Sequence, residues 1–114
     1  MSQPTEELIE QYRSTAIAWD MMQGDAKKAN PLFDRLHVIF KQLRNEQAGR
    51  DGISALMSDP TTGVRLMAAS HSLAWAPDRA KAVLEAIQKE PGLHAVTAKY
   101  TLKSFREGRL NMYW

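Results

Sequence analysis

Residues 58–77 read SDPTTGVRLMAASHSLAWAP, and this stretch decides the fold. Asp59-Pro60 is a turn signal. Behind it, from about Thr62 to Ala74, comes a helical segment that is apolar nearly all the way round. A helix with almost no wet face must be flanked on several sides. In a chain of 114 residues, one domain over 1–114 with one core is expected, and only neighbouring helices are at hand to do the flanking. Ala68, Ala69 and Ala74 are small enough to let them come close.

The rest of the chain supplies those helices. Thr5, Glu6 and Glu7 form a start signal, a capping hydroxyl ahead of acids at the positive end of the dipole. Leu8, Tyr12, Ala16, Trp19 and Met22 then recur at helical steps, and Gly24 ends the segment. Asp25 caps the next one, whose apolar face is Ala29, Leu32, Phe33, Leu36, Phe40 and Leu43. Pro31 falls inside it. Either the helix runs from about residue 26 to 47 with a disturbance there, the favoured reading, or Asn30 is the cap and Pro31 the first helical residue.

Gly49 is read as a break, followed by a short helix with Ile53, Leu56 and Met57 inward. Pro77 opens a helix that has Asp78 in its first turn and buries Ala80, Val83, Leu84 and Ile87. Pro91-Gly92 closes it. The last helix turns Ala95, Ala98, Leu102 and Phe105 inward and is capped by Gly108. No segment alternates like a strand. The expected fold is all-α, about six helices stacked as antiparallel hairpins, with one hairpin over 50–75 and another over 77–107.

DPTTGVRLMAA resembles the signature of HEAT-type helical repeats, through Asp59, Pro60, Val64, Arg65, Ala68 and Ala69. The resemblance implies that Asp59 caps the helix behind it and that Arg65 bonds acids or carbonyls of the next repeat. The longer traces VRLMAASHSLAWAPDRAKAVLEAI, GLHAVTAKYTLKSFREGRL and GDAKKANPLFDRLHVIFKQLR resemble a small bacterial domain-of-unknown-function family with a HEAT-like fold. Small helical proteins of this appearance include immunity proteins encoded beside secreted bacterial toxins. A non-enzymatic protein-binding function of that kind is what the resemblance implies.

Composition narrows the chemistry. The chain holds no Cys, which removes disulfides, thiolate metal sites and Cys nucleophiles. No apolar run approaches the ~18 residues of a membrane span, and Met1 to Glu10 is polar and acidic, unlike a secretory signal. A cytoplasmic protein without membrane contact is expected. His37, His71 and His94 lie on three different helices without metal-ligand spacing, and no Gly-rich phosphate loop or Ser-centred elbow occurs. Neither a metal, a cofactor nor a catalytic residue is expected.

Charge is distributed unevenly. The net charge is +2, but up to Ala26 five acids face a single base. Glu6, Glu7 and Glu10 on the first helix form the natural docking face for a basic protein such as a nuclease toxin. The alternative is a nucleic-acid surface. His37, Lys41 and Arg44 fall at i, i+4, i+7 on one helix, and Lys99, Lys103 and Arg106 do so on another. Interleaved aromatics for base stacking are lacking. The tail RLNMYW brings Tyr113 and Trp114, which either pack back on the core or meet a partner.

Overall fold

The computed structural model describes residues 4–110; Tyr113 and Trp114 lie outside them. Among the described residues the chain is all-α, with six α-helices and no strand. These are α1 (Thr5–Met21), α2 (Ala26–Leu43), α3 (Gln47–Ala55), α4 (Thr62–Ser72), α5 (Pro77–Gln88) and α6 (Leu93–Arg106). A 3-10 turn, Leu56–Ser58, follows α3. Contacts divide the chain into two units, residues 1–56 and 57–114.

In the first unit α1 and α2 pair, and α3 packs on both. Leu8, Tyr12 and Ala16 of α1 are buried with Leu36, Ile39, Phe40 and Leu43 of α2 and Ile53 of α3. Each large apolar side chain removed from water contributes roughly 1.5–3 kcal/mol before entropy is counted. Ile39 was not among the residues expected inside, and Trp19, Met22, Leu32 and Phe33 are only half-buried. Trp19 and Phe33 meet ring to ring across α1 and α2, with centroids 6.4 Å apart.

The start of α1 lies one residue earlier than the capping signal implied. Pro4 occupies the N-cap position, and Thr5 is the first helical residue. The Thr5 hydroxyl is thereby free to donate to the Glu46 carboxylate, at 3.5 Å. Asp25 does cap α2, accepting from the Lys27 N–H. α2 then runs unbroken through Pro31. Pro31 is exposed and little more than a turn from the helix start, so the lost backbone bond lies where water reaches it. Asn30 is therefore inside the helix and is not its cap, and α2 stops at Leu43, short of residue 47.

Gly49 is not a break. It is buried within α3, and a methyl group there would collide with the backbone carbonyl of Leu43 at the end of α2. Gly52, one turn on, sits against the Ile9 side chain of α1. The two glycines strip one face of α3 to bare backbone, so that it presses onto α1 and α2. The expected hairpin over 50–75 is consequently divided, with α3 in the first unit and α4 in the second.

The second unit is built on α4, in which Gly63, Val64, Leu66, Met67, Ala68, Ala69 and Ser72 are all buried. The wet face is as narrow as the sequence implies. α5 packs on α4, and α6 packs on both. Ala80, Leu84 and Ile87 of α5 and Ala98 and Leu102 of α6 complete this core. Pro77 opens α5 at its first turn, as expected.

Both positive-φ residues among those described bracket α6. Gly92, with φ 105°, stands at its N-cap. Gly108, with φ 70°, closes it. Beyond Gly108 the Arg109 N–H reaches back to the Ser104 carbonyl at 2.9 Å, and the Gly108 N–H reaches Phe105 at 3.1 Å. That bond pair is a Schellman closure, which requires the left-handed backbone glycine adopts freely.

Two stability measurements follow. Gly49→Ala should lower unfolding free energy by about 2–3 kcal/mol in urea denaturation, because Leu43 backbone must shift. Gly52→Ala should stay within about 1 kcal/mol of the parent, since Ile9 can change rotamer and alanine favours the helix. Burial also pushes the Tyr12 phenol well above its usual value. Its folded form holds a proton that the unfolded chain releases near pH 10, so stability is full below that pH and falls above it. Tyr12→Phe should remove about 1.4 kcal/mol per pH unit from that alkaline slope, read as the difference between the two proteins from pH 9 to 11.5.

Candidate functional site

The chemistry-bearing side chains lie along helix faces. On α1, Glu6, Glu7 and Glu10 are exposed and make no hydrogen bond or ion pair with any described residue. At about 100° per residue they fan over an arc of roughly 100°. Glu6 and Glu7 occupy the first turn, where the helix dipole favours them. The bond from Thr5 brings Glu46 to the same end of α1. The acidic face therefore has a fourth carboxylate from 41 residues away, which no local sequence pattern announces.

Beside this arc an open groove of about 230 Å³ runs between α1 and α2. Glu10 and Arg35 line it with Ser14, Thr15 and Leu32. It is shallow, and no histidine reaches it. His37 is half-buried, with its ring tilted against Phe40 at 6.0 Å. His71 and His94 are half-buried on α4 and α6. Among the described residues, no three His, Asp or Glu side chains group so as to hold a metal ion.

The two basic stripes differ in availability. Lys41 is exposed, but Arg44 is half-buried, its guanidinium 5.2 Å from the Phe40 ring centroid. The Arg44 carbonyl accepts from Arg50 at 2.6 Å, tying the end of α2 to α3. The junction is thus held by the Arg50 guanidinium on the main chain of Arg44, while the Arg44 side chain lies against Phe40. On α6, Lys99, Lys103 and Arg106 are all exposed, with Arg106 4.0 Å from Glu85 of α5. The first stripe belongs to residues 1–56 and the second to 57–114.

Asp59, Pro60, Val64 and Arg65 form the turn into α4. The Asp59 carboxylate accepts from the Thr61 N–H at 2.9 Å, an Asx turn, while Thr61 takes the N-cap position. The Arg65 guanidinium donates to the carbonyls of Asp59 and Pro60 and to the Thr62 hydroxyl, at 2.9, 3.1 and 3.0 Å. It also approaches Glu90, beyond α5, at 3.5 Å. The carbonyl partners belong to its own turn, and only the acid comes from beyond the next helix. Val64 is fully buried behind it.

One feature was missed in the sequence. Leu93, Val96 and Tyr100 are 56, 49 and 60% exposed, at i, i+3, i+7 on α6. Their spacing is as regular as that of the buried stripe, and a helix with two apolar stripes was the available signal.

These features define an all-α protein with charged and apolar helix faces. Residues 6–105 match the model of DUF2019, a domain of unknown function, and the chain belongs to that family. The chain is also similar to the protein RPA1889 from Rhodopseudomonas palustris CGA009, known from its crystal structure. The two are 25% identical, with a TM-score of 0.86, over 96% of this chain and 94% of the other. No curated protein matches the chain. Among the described residues no helix is long and apolar enough to cross a membrane.

The Arg65 cluster gives a structural prediction. Arg65→Ala should cost about 2 kcal/mol, since it strips charge-assisted bonds from two turn carbonyls. Glu90→Gln should cost less than about 1 kcal/mol, because that ion pair is partly solvated. Thermal denaturation of the two variants checks the ranking.

Proposed function

We propose that the chain is a non-enzymatic module that binds another protein, with the stacked-hairpin character of HEAT-like folds. In its most concrete form it is a cytoplasmic immunity protein that neutralises a cognate toxin by direct binding. The observation that carries the reading is the acidic face of α1, where three exposed carboxylates stand against the one base of that helix, Arg13. Glu6, Glu7 and Glu10 are exposed and unpaired among the described residues, and Glu46 adjoins them.

Clustered carboxylates of one sign steer a basic partner and raise its encounter rate. A toxin that acts on RNA or DNA carries such a basic surface. The resemblance to immunity proteins supplies the partner class, and the carboxylates supply the means of recognition. The groove beside them is open and shallow.

A nucleic-acid surface through Lys41, Arg44, Lys99, Lys103 and Arg106 is the second reading, favoured by the exposure of the three α6 bases. It is weakened by Arg44, whose guanidinium lies half-buried against the Phe40 ring.

The test begins with the genes that adjoin this one in its native genome: the reading requires one that encodes a basic secreted toxin, and its product is the probe. Reversing all three charges, Glu6→Lys with Glu7→Lys and Glu10→Lys, should slow association about tenfold or more at low salt and abolish protection in cells. Circular dichroism should show the helices intact. Association that ignores the reversal refutes the acidic docking face. Titration with duplex DNA and structured RNA separates the readings: a steep fall of affinity with salt, equivalent to several released counterions, would establish the second.

A further inference from the structure

α6 has two apolar faces and needs only one of them to fold. Ala98 and Leu102 are buried in the core that α6 shares with α4 and α5. On the other side Leu93, Val96 and Tyr100 stand exposed in a single stripe. Isolated exposed apolar side chains are ordinary, and Met21 and Val38 in the first unit are of that kind. Three in register along one helix form a contiguous patch, which marks an interaction surface.

The patch has a charged border. About its axis, Lys103 falls beside Val96 and Tyr100, and Lys99 and Arg106 follow along the same flank. All three are exposed. We propose that this face of α6 docks an acidic amphipathic helix of another protein. Apolar residues of that helix at i, i+3 or i+4, and i+7 would lie along Leu93, Val96 and Tyr100, and its Asp and Glu residues would face the bases.

The pattern of the patch selects this occupant. Its centre is apolar, which a phosphate backbone cannot use. Its period is that of a helix laid along a helix, and one border carries Lys99, Lys103 and Arg106, of which only Arg106 has an acid, Glu85, at 4.0 Å, so the border calls for carboxylates. A second copy of α6 laid antiparallel on the same face would bring Lys99, Lys103 and Arg106 against their own counterparts, a like-charge arrangement. The surface lies in the second unit, whereas the acidic face of α1 lies in the first, so this inference stands apart from the toxin-binding reading.

The experiment uses the full chain and three fluorescein-labelled synthetic 18-residue peptides: a Leu/Glu amphipathic helix, its Leu/Lys counterpart, and a scramble of the Leu/Glu peptide without helical periodicity. Fluorescence anisotropy should show the Leu/Glu peptide binding at least about tenfold tighter than either control. Amide chemical-shift changes should concentrate on α6.

Val96→Ser with Tyr100→Ser, and separately Lys99→Glu with Lys103→Glu, should each weaken binding about tenfold. Both pairs are exposed, so melting temperatures should stay near that of the parent. The α1 triple reversal should leave peptide binding unchanged, which separates failure here from failure of the toxin reading. Equal binding of the scramble overturns the proposal as mere charge attraction, and no binding overturns it outright. Chain self-association blocked by Val96→Ser with Tyr100→Ser would give the face to a second copy. Binding to phosphatidylserine vesicles without peptide binding would give it to a lipid surface.

Discussion

The second unit depends on the burial of α4. Only a helix lined with Gly63, Ala68 and Ala69 can be covered so fully, because larger side chains would hold its neighbours away. Those neighbours are α5 and α6, and their own buried stripes follow from having to meet it. Val64 and Leu66 anchor the helix from within, and the Arg65 guanidinium clasps the turn that leads into it. Every outward feature of residues 57–110 is what remains after α4 has been enclosed.

The first unit solves a different problem by a related means. α3 is short and weakly apolar, and side chains alone would not seat it. Gly49 and Gly52 let its backbone approach Leu43 and Ile9 directly. Around that contact the 43–51 segment is knit by polar bonds, with Arg50 on the Arg44 carbonyl and Gln47 on Asp51. Glu46 is carried to the foot of α1 in consequence, and the local acidity of α1 becomes a shared surface.

Much of this was legible in the sequence, because helical periodicity reports which face meets a neighbour. The all-α class, the helix count, the dry character of α4, the Asp25 cap and the Gly108 closure could all be read from residue spacing. Gly49 was misread because a glycine that ends a helix and one that admits a neighbouring backbone are the same letter, and only tertiary contact separates them. Pro31 was ambiguous because its cost depends on whether the orphaned carbonyl meets water. Among the candidate sites, the exposure of Glu6, Glu7 and Glu10 followed from their place in the first turns of α1. The half-burial of Arg44 did not: its Phe40 contact lies at i−4 and could be read from spacing, but the Arg50 bond that brings α3 back onto its carbonyl could not. The Leu93 stripe was overlooked because periodicity alone does not say which of two apolar faces the core will take.

The glycines at either end of α6 have a consequence for how such a protein can change. Left-handed backbone at Gly92 and Gly108 pins where the helix begins and ends, and with it the angular position of every side chain between. Loss or gain of one residue inside that frame would swing the outer stripe by about 100° toward the core. Variation on α6 is thus confined to exchange of letters at fixed addresses. Its outward face can be rewritten for a new partner while the inward face keeps its alignment.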